Sequence, residues 1–226
     1  MAVRDGAEAQ AQKQSPEAAA AAAAAELAHF DAIPWVRKQI DDAVARDSSV
    51  VVEQSYSRVL KPRGEDALVS RTLNRPDAIA GFITLYTPPP SPSPSPTTTA
   101  STSTPQPPPP PLVREITAYL TLGPSVNGWA GICHGGIVMT VLDEVMGQLP
   151  AVNKLRGAMV PALPLMTAYL NTRFLAPLRT GTTVVATARL IRVDGRKHFM
   201  EARICDERGE VLAEADALFV VLRARL

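Results

Sequence analysis

The sequence predicts an α+β domain in which an antiparallel sheet packs against one long helix. Apolar residues recur with helical spacing from Gly135 or Gly136 to about Gln148. Segments that alternate apolar and polar residues lie before and after this helix, and turn signals such as Asp194-Gly195 separate the later ones. Strands grouped around a single helix and joined by short turns are typical of an antiparallel α+β arrangement. The predicted strands are Phe82–Tyr86, Leu112–Leu122, Leu165–Phe174, Thr182–Val193, Lys197–Cys205 and Val211–Leu222.

The predicted central helix carries an acidic residue on a narrow stripe of small residues. With a rotation of about 100° per residue, Gly136, Thr140, Asp143 and Gly147 share this stripe. A carboxylate on a buried helix is costly unless it is paired or used, and small neighbours leave room for a ligand. Asp143 is therefore a candidate general base, with a structurally paired aspartate as the alternative. Glu144 lies about 100° further round the helix, so we expect it not to share this role.

Two glycines open the central helix and expose its first backbone N–H groups. Gly135 and Gly136 follow His134, and neither carries a side chain that would shield these donors. Unsatisfied N–H groups and a partial positive charge suit a carbonyl oxygen that becomes negative during reaction. From Gly135 to Asp143 the helix rises about 12 Å, which favours a site shared between two protomers. The alternative is a structural helix with a glycine-rich entry.

The N-terminal third of the sequence predicts an extension followed by a helical cap. Residues 1–26 form an alanine-rich extension, disordered at its start, in which Pro16 and Glu17 are suited to begin a helix. Leu27–Val44 repeats apolar residues at helical spacing, and Pro34 either begins or kinks this helix. We expect it to be the N-terminal helix of a domain at 27–226 and to pack as a cap on the rest of that domain; a regulatory or membrane-surface role is the weaker alternative.

A proline-rich stretch interrupts the predicted strands. Residues 88–111 are rich in Pro, Ser and Thr, a composition that blocks helix and sheet hydrogen bonding and favours extended polyproline II. Because strands of the same domain flank it, we interpret it as a disordered loop; an SH3-type ligand is the alternative.

Composition excludes several classes of function. The net charge of +1 gives no indication of a nucleic acid partner. Cys133 and Cys205 form no CxxC pattern, which argues against a disulfide framework and a structural zinc, and we expect no metal. Cys133 precedes His134, but neighbours in sequence rarely face each other, so a Cys/His nucleophile is the weaker interpretation.

The sequence also bears on cellular location. No apolar run reaches the roughly 18 residues of a membrane span, so none is expected. The polyalanine N-terminus, with its acidic residues and single Arg4, differs from a secretory signal and from an Arg-rich mitochondrial presequence. We expect a cytoplasmic protein and leave a mitochondrial location open.

An ordered set of motifs resembles a known family. The HGG at His134–Gly136 is followed by Asp143, nine positions after the histidine, on an apolar helix. Further along come MTAYLNTRFLAP, DGRKHF and AEADALFVV. This order resembles the hotdog-fold acyl-CoA thioesterases of the PaaI/THEM-type thioesterase superfamily, including its fungal members. The resemblance covers Ile116–Leu226 well and Phe30–Thr87 more loosely.

The resemblance implies a fold, a reaction and an assembly. The hotdog fold wraps an antiparallel sheet around the central helix. The reaction is hydrolysis of acyl-CoA or carrier-bound thioesters without a cofactor, with Asp143 activating water. Gly135 supplies a backbone N–H, His134 shapes the turn, and Thr167 faces Asp143 across the interface of a homodimer or dimer of dimers. An ordinary strand threonine is the alternative for Thr167.

Substrate-binding residues follow partly from the strand pattern and partly from the resemblance. Gly136 opens the helix beside the expected oxyanion site. Asn171 and Arg173 share a strand face with Thr167 by the two-residue repeat, which places them near the site. Arg196 and Lys197 match a basic turn near the CoA phosphates in relatives, with a solvated turn as the alternative.

Three other functions stay open. Leu175-Ala176 stand where relatives often carry Lys or Arg before the proline, which leaves CoA and carrier-protein thioesters as alternatives. A hotdog dehydratase or a biosynthetic, polyketide-type thioesterase would keep the fold. A non-catalytic acyl-binding or interaction protein would use the proline-rich stretch as a docking segment.

Overall fold

The structure is a computed structural model that describes residues 15–90, 110–159 and 164–222. In chain order the elements are α1 (Pro16–Asp31), α2 (Pro34–Arg46), β1 (Val51–Gln54), β2 (Ile79–Tyr86), β3 (Glu115–Leu122), β4 (Asn127–Trp129), β5 (Ile132–Cys133), α3 (Gly135–Leu155), β6 (Leu165–Phe174), β7 (Thr182–Asp194), β8 (Lys197–Cys205) and β9 (Val211–Val221). Within the described residues, seven strands form one antiparallel sheet in the order β1-β2-β3-β7-β8-β9-β6, and β4 and β5 form a separate hairpin.

The core lies between the sheet and α3. The helix buries one apolar side, and alternate residues of the strands meet it from the sheet. Fully buried members include Ile116, Leu120, Leu142, Leu149 and Ile204. Each such side chain stabilises the fold by about 1.5–3 kcal/mol. An antiparallel sheet wrapped around one long helix is the hotdog fold, so this expectation is confirmed.

The central helix is longer than the sequence predicts. The connection expected at Gln148–Pro164 begins as two further helical turns, and α3 continues through Pro150 to Leu155. Pro150 removes one backbone donor, but its own side chain is buried, as are those of Leu149 before it and Val152 after it. Asn153 then ties this extension to the connection just before β3: its amide donates to Val113 O at 2.9 Å and accepts from Val113 N at 2.8 Å.

The two N-terminal helices cover part of the outer face of the sheet. Phe30 of α1 and Val36 of α2 join Ile83 and Tyr119 in a second apolar cluster. Pro34 begins α2, and the alanine run is helical within α1, so the predicted division after residue 26 falls inside a helix. The expectation of a cap that packs on the domain is confirmed. Residues 1–14 of the predicted extension lie outside the described residues.

Residues 55–72 form an irregular segment that the sequence did not predict. It contains a 3-10 turn at Tyr56–Arg58 and a π-helical turn at Leu68–Thr72, and it follows the unpredicted strand β1. We call it the 55–72 segment. Arg58 Nε donates to Glu26 Oε1 of α1 at 2.5 Å, with both side chains almost fully buried. The segment is therefore fixed to the N-terminal cap.

The strands β2 and β3, on either side of the proline-rich stretch, are antiparallel neighbours. Residues 91–109 of the predicted loop at 88–111 lie outside the described residues. None of the helices in the described ranges is both long and apolar enough to cross a membrane.

Candidate active site

The start of α3 is built by His134. Its backbone is extended, and its Nδ1 accepts a hydrogen bond from Gly136 N at 2.9 Å. His134 is thus the N-cap of α3, and the N–H of Gly136 is already used in this cap; a catalytic role of His134 stays a prediction. In the described part of the chain, the N–H of Gly135 has no hydrogen-bond acceptor. Gly135 is thus the donor that this helix start leaves for a ligand.

Asp143 lies two turns further along α3 and is held by Thr167. Thr167 Oγ1 donates to Asp143 Oδ1 at 2.8 Å within one chain. The expectation that the two residues meet across a dimer interface is therefore wrong, because β6 runs beside α3 of its own protomer. Burial raises the pKa of Asp143, and the Thr167 hydrogen bond lowers it in part. Asp143 is therefore a partly desolvated carboxylate that Thr167 orients.

A β-bulge at Ala168 explains why Thr167 reaches the helix. Thr167 pairs with Phe219 and Tyr169 with Leu218, so one extra residue interrupts the two-residue alternation of β6. Beyond the bulge, Asn171 and Arg173 point to the opposite face of the sheet. The prediction that they share a face with Thr167 is wrong for this reason.

On that outer face, the two residues contact acidic neighbours on β9. Asn171 Nδ2 donates to Asp216 Oδ2 at 3.1 Å, and Arg173 Nη2 pairs with Glu214 Oε1 at 2.8 Å. The structure does not bring them to Asp143, and their role in substrate binding stays a prediction.

A cavity of about 520 Å³ opens beside Asp143. Its walls come from α3, β6, β9 and the 55–72 segment, and they include Tyr56, Ser57, Glu144, Lys154, Thr167 and Phe219. Glu144 lines the same cavity as Asp143, although it lies about 100° further round the helix; that it does not share the role of Asp143 stays a prediction. The 55–72 segment supplies a wall on the side towards which Glu144 points.

Gln148 fixes the 55–72 segment against α3. Its side chain is almost fully buried; Oε1 accepts from Tyr56 N at 3.0 Å, and Nε2 donates to Ser57 Oγ at 2.6 Å. Sequence reasoning missed these three residues because Gln148 and Tyr56 lie 92 positions apart. A glutamine among apolar positions of α3 was the available signal, since a buried amide needs partners.

A second cavity, of about 420 Å³, lies at the start of α3. It is mainly apolar and is lined by Gly135, Val138, Phe174 and Leu212 among others. Since Gly135 and Asp143 are about 12 Å apart along the helix, the free N–H and the carboxylate open into different cavities of one protomer.

The basic turn divides into exposed and buried residues. Arg196 and Lys197 are exposed at the turn between β7 and β8, and Arg196 Nη1 donates to Val221 O at 2.8 Å. In the sheet, Lys197 of β8 lies opposite Val220 of β9, and Val220 lies opposite Met166 of β6, the residue before Thr167. The turn therefore lies at the same end of the sheet as the cavity. His198 is buried, and burial together with the charge of Lys154 lowers its pKa.

Cys133 is unsuited to be a nucleophile. It is buried, its Sγ approaches the backbone oxygen of His134 at 3.7 Å, and burial raises the pKa of its thiol to about 11. A thiol with such a pKa is protonated at neutral pH, and the thiolate is the reactive form. The geometry and the pKa both disfavour the Cys/His interpretation.

The region that carries Asp143 matches a known protein family. Residues 130–213 match the family described as Thioesterase superfamily, a range that includes α3 and β6. The chain is 30% identical over 131 residues to verlamelin biosynthesis protein B of Lecanicillium sp, covering 48% of this chain and 57% of the relative. It is 29% identical over 110 residues to acyl-coenzyme A thioesterase THEM4 of Xenopus laevis, covering 48% and 46%.

The chain spans about half the length of the curated relatives that it matches. Among solved structures, it is similar to a Bacillus halodurans protein crystallised with CoA. The identity is 31% and the TM-score 0.43, with 50% of this chain and 70% of that chain covered.

Proposed function

The chain belongs to the thioesterase superfamily, and from this premise we propose that it hydrolyses acyl-CoA or related thioesters to free acid and thiol. The observation that carries the proposal is the Asp143 carboxylate, which accepts a hydrogen bond from Thr167 and lines an open cavity. A partly desolvated, oriented carboxylate is suited to take a proton from water. No metal or other cofactor enters the proposed reaction.

The proposed reaction begins with water beside Asp143. The carboxylate takes a proton as the water oxygen attacks the thioester carbonyl carbon, and the carbonyl oxygen becomes an oxyanion. Donors that are already oriented towards developing negative charge lower the barrier because they need no reorganisation. The N–H of Gly135, beside the His134 cap, is such a donor. Collapse of the tetrahedral intermediate then breaks the carbon–sulfur bond.

The separation of the two groups leads to a homodimer in this proposal. One protomer's Gly135 lies too far from its own Asp143 to serve the same carbonyl. The strand β6 is the last of its sheet, and Met166, Tyr169 and Phe174 on it are 49%, 40% and 55% exposed. An exposed edge strand with apolar side chains favours pairing with another chain. A second copy at β6 would bring its Gly135 towards Asp143.

The substrate class is proposed from relatives and from charge. THEM4 is named an acyl-coenzyme A thioesterase, and exposed Arg196 and Lys197 lie at the cavity end of the sheet, where they would bind CoA phosphates. The match to a verlamelin biosynthesis protein favours a second candidate, release of a biosynthetic acyl thioester. Hydrolysis of matched acyl chains on CoA and on a carrier protein would separate the two.

The direct test is Asp143→Asn, which keeps the shape and removes the base. We expect kcat to fall by about 10²–10⁴, with the far-ultraviolet circular dichroism unchanged. Asp41→Asn, an exposed carboxylate paired with Arg37 on α2, is the matched control and should retain activity. Near-normal hydrolysis by Asp143→Asn would refute the mechanism, and wild-type protein that binds acyl-CoA without hydrolysing it would support the binding-protein alternative.

The shared site has a separate test by mixing protomers. Gly135→Pro removes the N–H at a position where proline is favoured, and the extended backbone of His134 is compatible with a following proline. A Cβ at Gly135 would meet Phe174 at an ordinary 3.5 Å. Each variant homodimer should be nearly inactive, whereas mixing Gly135→Pro with Asp143→Asn should restore activity at one of two sites. Gly135→Ala, which keeps the N–H, is the control; absence of rescue would place the site within one chain.

A further inference from the structure

The cavity beside Asp143 contains a second carboxylate, on Glu144. Ser57 of the 55–72 segment lines the same cavity, and the interaction of its hydroxyl with the Glu144 carboxylate lowers the pKa of Glu144. Ser57 Oγ accepts from Gln148 Nε2 at 2.6 Å and also lies 3.3 Å from Ser55 Oγ, where either hydroxyl can be the donor. The 55–72 segment thus covers Glu144 on one side and contributes to its burial.

Charged groups around Glu144 come from two elements. Asp143 on α3 and Asp66 on the 55–72 segment are both acidic, and they disfavour a further negative charge on Glu144. Lys61 opposes them, but its Nζ is engaged by Asp66 and lies over the Tyr56 ring. Lys154 of α3 also lines the cavity. Burial is the largest cause that raises the pKa of Glu144, to about 7.

We propose that Glu144 is the general acid that protonates the departing thiolate, while Asp143 acts as the base. This inference rests on the proposed hydrolysis. Two carboxylates in one cavity can take opposite roles when their surroundings differ. Asp143 is oriented by a hydroxyl on β6, whereas Glu144 lies between α3 and the 55–72 segment beside two other acids.

The proton transfers balance. Asp143 takes one proton from water while the water oxygen bonds to the carbonyl carbon. When the carbon–sulfur bond breaks, its electron pair leaves with sulfur, and the Glu144 carboxyl gives its proton to the thiolate. The products are the carboxylic acid and the thiol. A proton then passes from Asp143 to Glu144 through cavity water, which restores both groups.

Glu144→Gln tests this role through the leaving group. An alkyl thiolate such as that of CoA is basic and benefits from protonation, whereas a more acidic aryl thiolate leaves as the anion. We expect Glu144→Gln to lower kcat for an acyl-CoA by about 10²-fold and to leave the aryl thioester of the same acyl group nearly unchanged. Asp143→Asn should slow both substrates. Glu65→Gln, an exposed acid on the same segment, is the control and should change neither.

The pH profile gives a second measurement. For acyl-CoA, wild-type kcat should fall as pH rises above about 7, and this alkaline limb should be absent in Glu144→Gln. In Ser57→Ala the limb should move to higher pH, because the Ser57 hydrogen bond lowers the pKa of Glu144.

The outcomes separate the two proposals. Asp143→Asn without effect on either substrate would overturn the proposed function. A slow Asp143→Asn together with equal effects of Glu144→Gln on both thioesters, or no effect on either, would leave the hydrolysis intact and overturn the general-acid role.

Discussion

Burial of Glu144 should make the stability of the fold depend on pH, and Glu144→Gln isolates that dependence. The pKa of Glu144 is raised from 4.5 to about 7, mainly by burial. Below pH 4.5 the carboxyl is protonated in both the folded and the unfolded chain. Between pH 4.5 and 7 the unfolded chain loses this proton first, so the folded state binds more protons and its stability falls as pH rises.

The size of the effect follows from the pKa. One pKa unit corresponds to about 1.36 kcal/mol, so the raised pKa amounts to about 3 kcal/mol of stability lost between pH 4 and pH 8. Glutamine has nearly the shape of a protonated glutamate and does not titrate. The free energy of unfolding of Glu144→Gln, relative to wild type, should therefore increase by about 3 kcal/mol across this range.

Urea unfolding followed by circular dichroism, at fixed protein concentration and at several pH values, measures this difference. Other titrating groups act equally in both proteins and largely cancel in the comparison. Glu65→Gln should show no such trend, since Glu65 is exposed. A difference between Glu144→Gln and wild type that stays constant with pH would refute the argument that Glu144 is desolvated in the folded protein.

Three further predictions concern other parts of the chain. Thr167→Val removes a hydrogen bond that lowers the pKa of Asp143, so the acidic limb of kcat/KM should move to higher pH; an unchanged limb would contradict the pairing. Replacing Arg196 and Lys197 by Ala should raise KM for acyl-CoA with little change in kcat, and should matter less for an acyl-pantetheine; equal effects on both would refute phosphate binding. Replacing residues 91–109 with a short glycine linker should leave hydrolysis intact, because β2 and β3 are neighbours. Each halving of loop length changes the free energy of loop closure by only about 0.6 kcal/mol. Loss of soluble protein would indicate a structural role.

The sheet was largely predictable because strong local sequence signals mark where its strands begin and end. Alternation and flanking Pro or Gly predicted β6 and β8 to the residue, Leu165–Phe174 and Lys197–Cys205. The bulge at Ala168 has no comparable signal, since Ala fits a strand on either face. A single extra residue reverses every side chain beyond it, and this reversal put Asn171 and Arg173 on the wrong face in the prediction.

The position of Asp143 on α3, with small residues on its stripe, could be predicted because these features are local, and its catalytic role stays a prediction. Its spacing from His134 and the small residues on its stripe lie within about three turns of α3. The contributions of Ser57 and Tyr56 depend on contacts with Gln148 across 91 and 92 positions. Such contacts have no periodic signature in a single sequence. The end of α3 was predicted too early for the opposite reason. Pro150 is a local helix-breaking signal, but burial of residues around it keeps the chain helical to Leu155.

The two adjacent carboxylates differ because different parts of the chain cover them. Asp143 is covered by β6, which lies within the family match at 130–213, whereas Glu144 is covered by the 55–72 segment, which lies outside it. Chains that share the matched region can therefore share Asp143 and still differ in the surroundings of the carboxylate beside it. That segment is in turn fixed to α1 through the buried Arg58–Glu26 pair. If Glu144 is the acid, the N-terminal cap supports the reaction by keeping water away from one side chain.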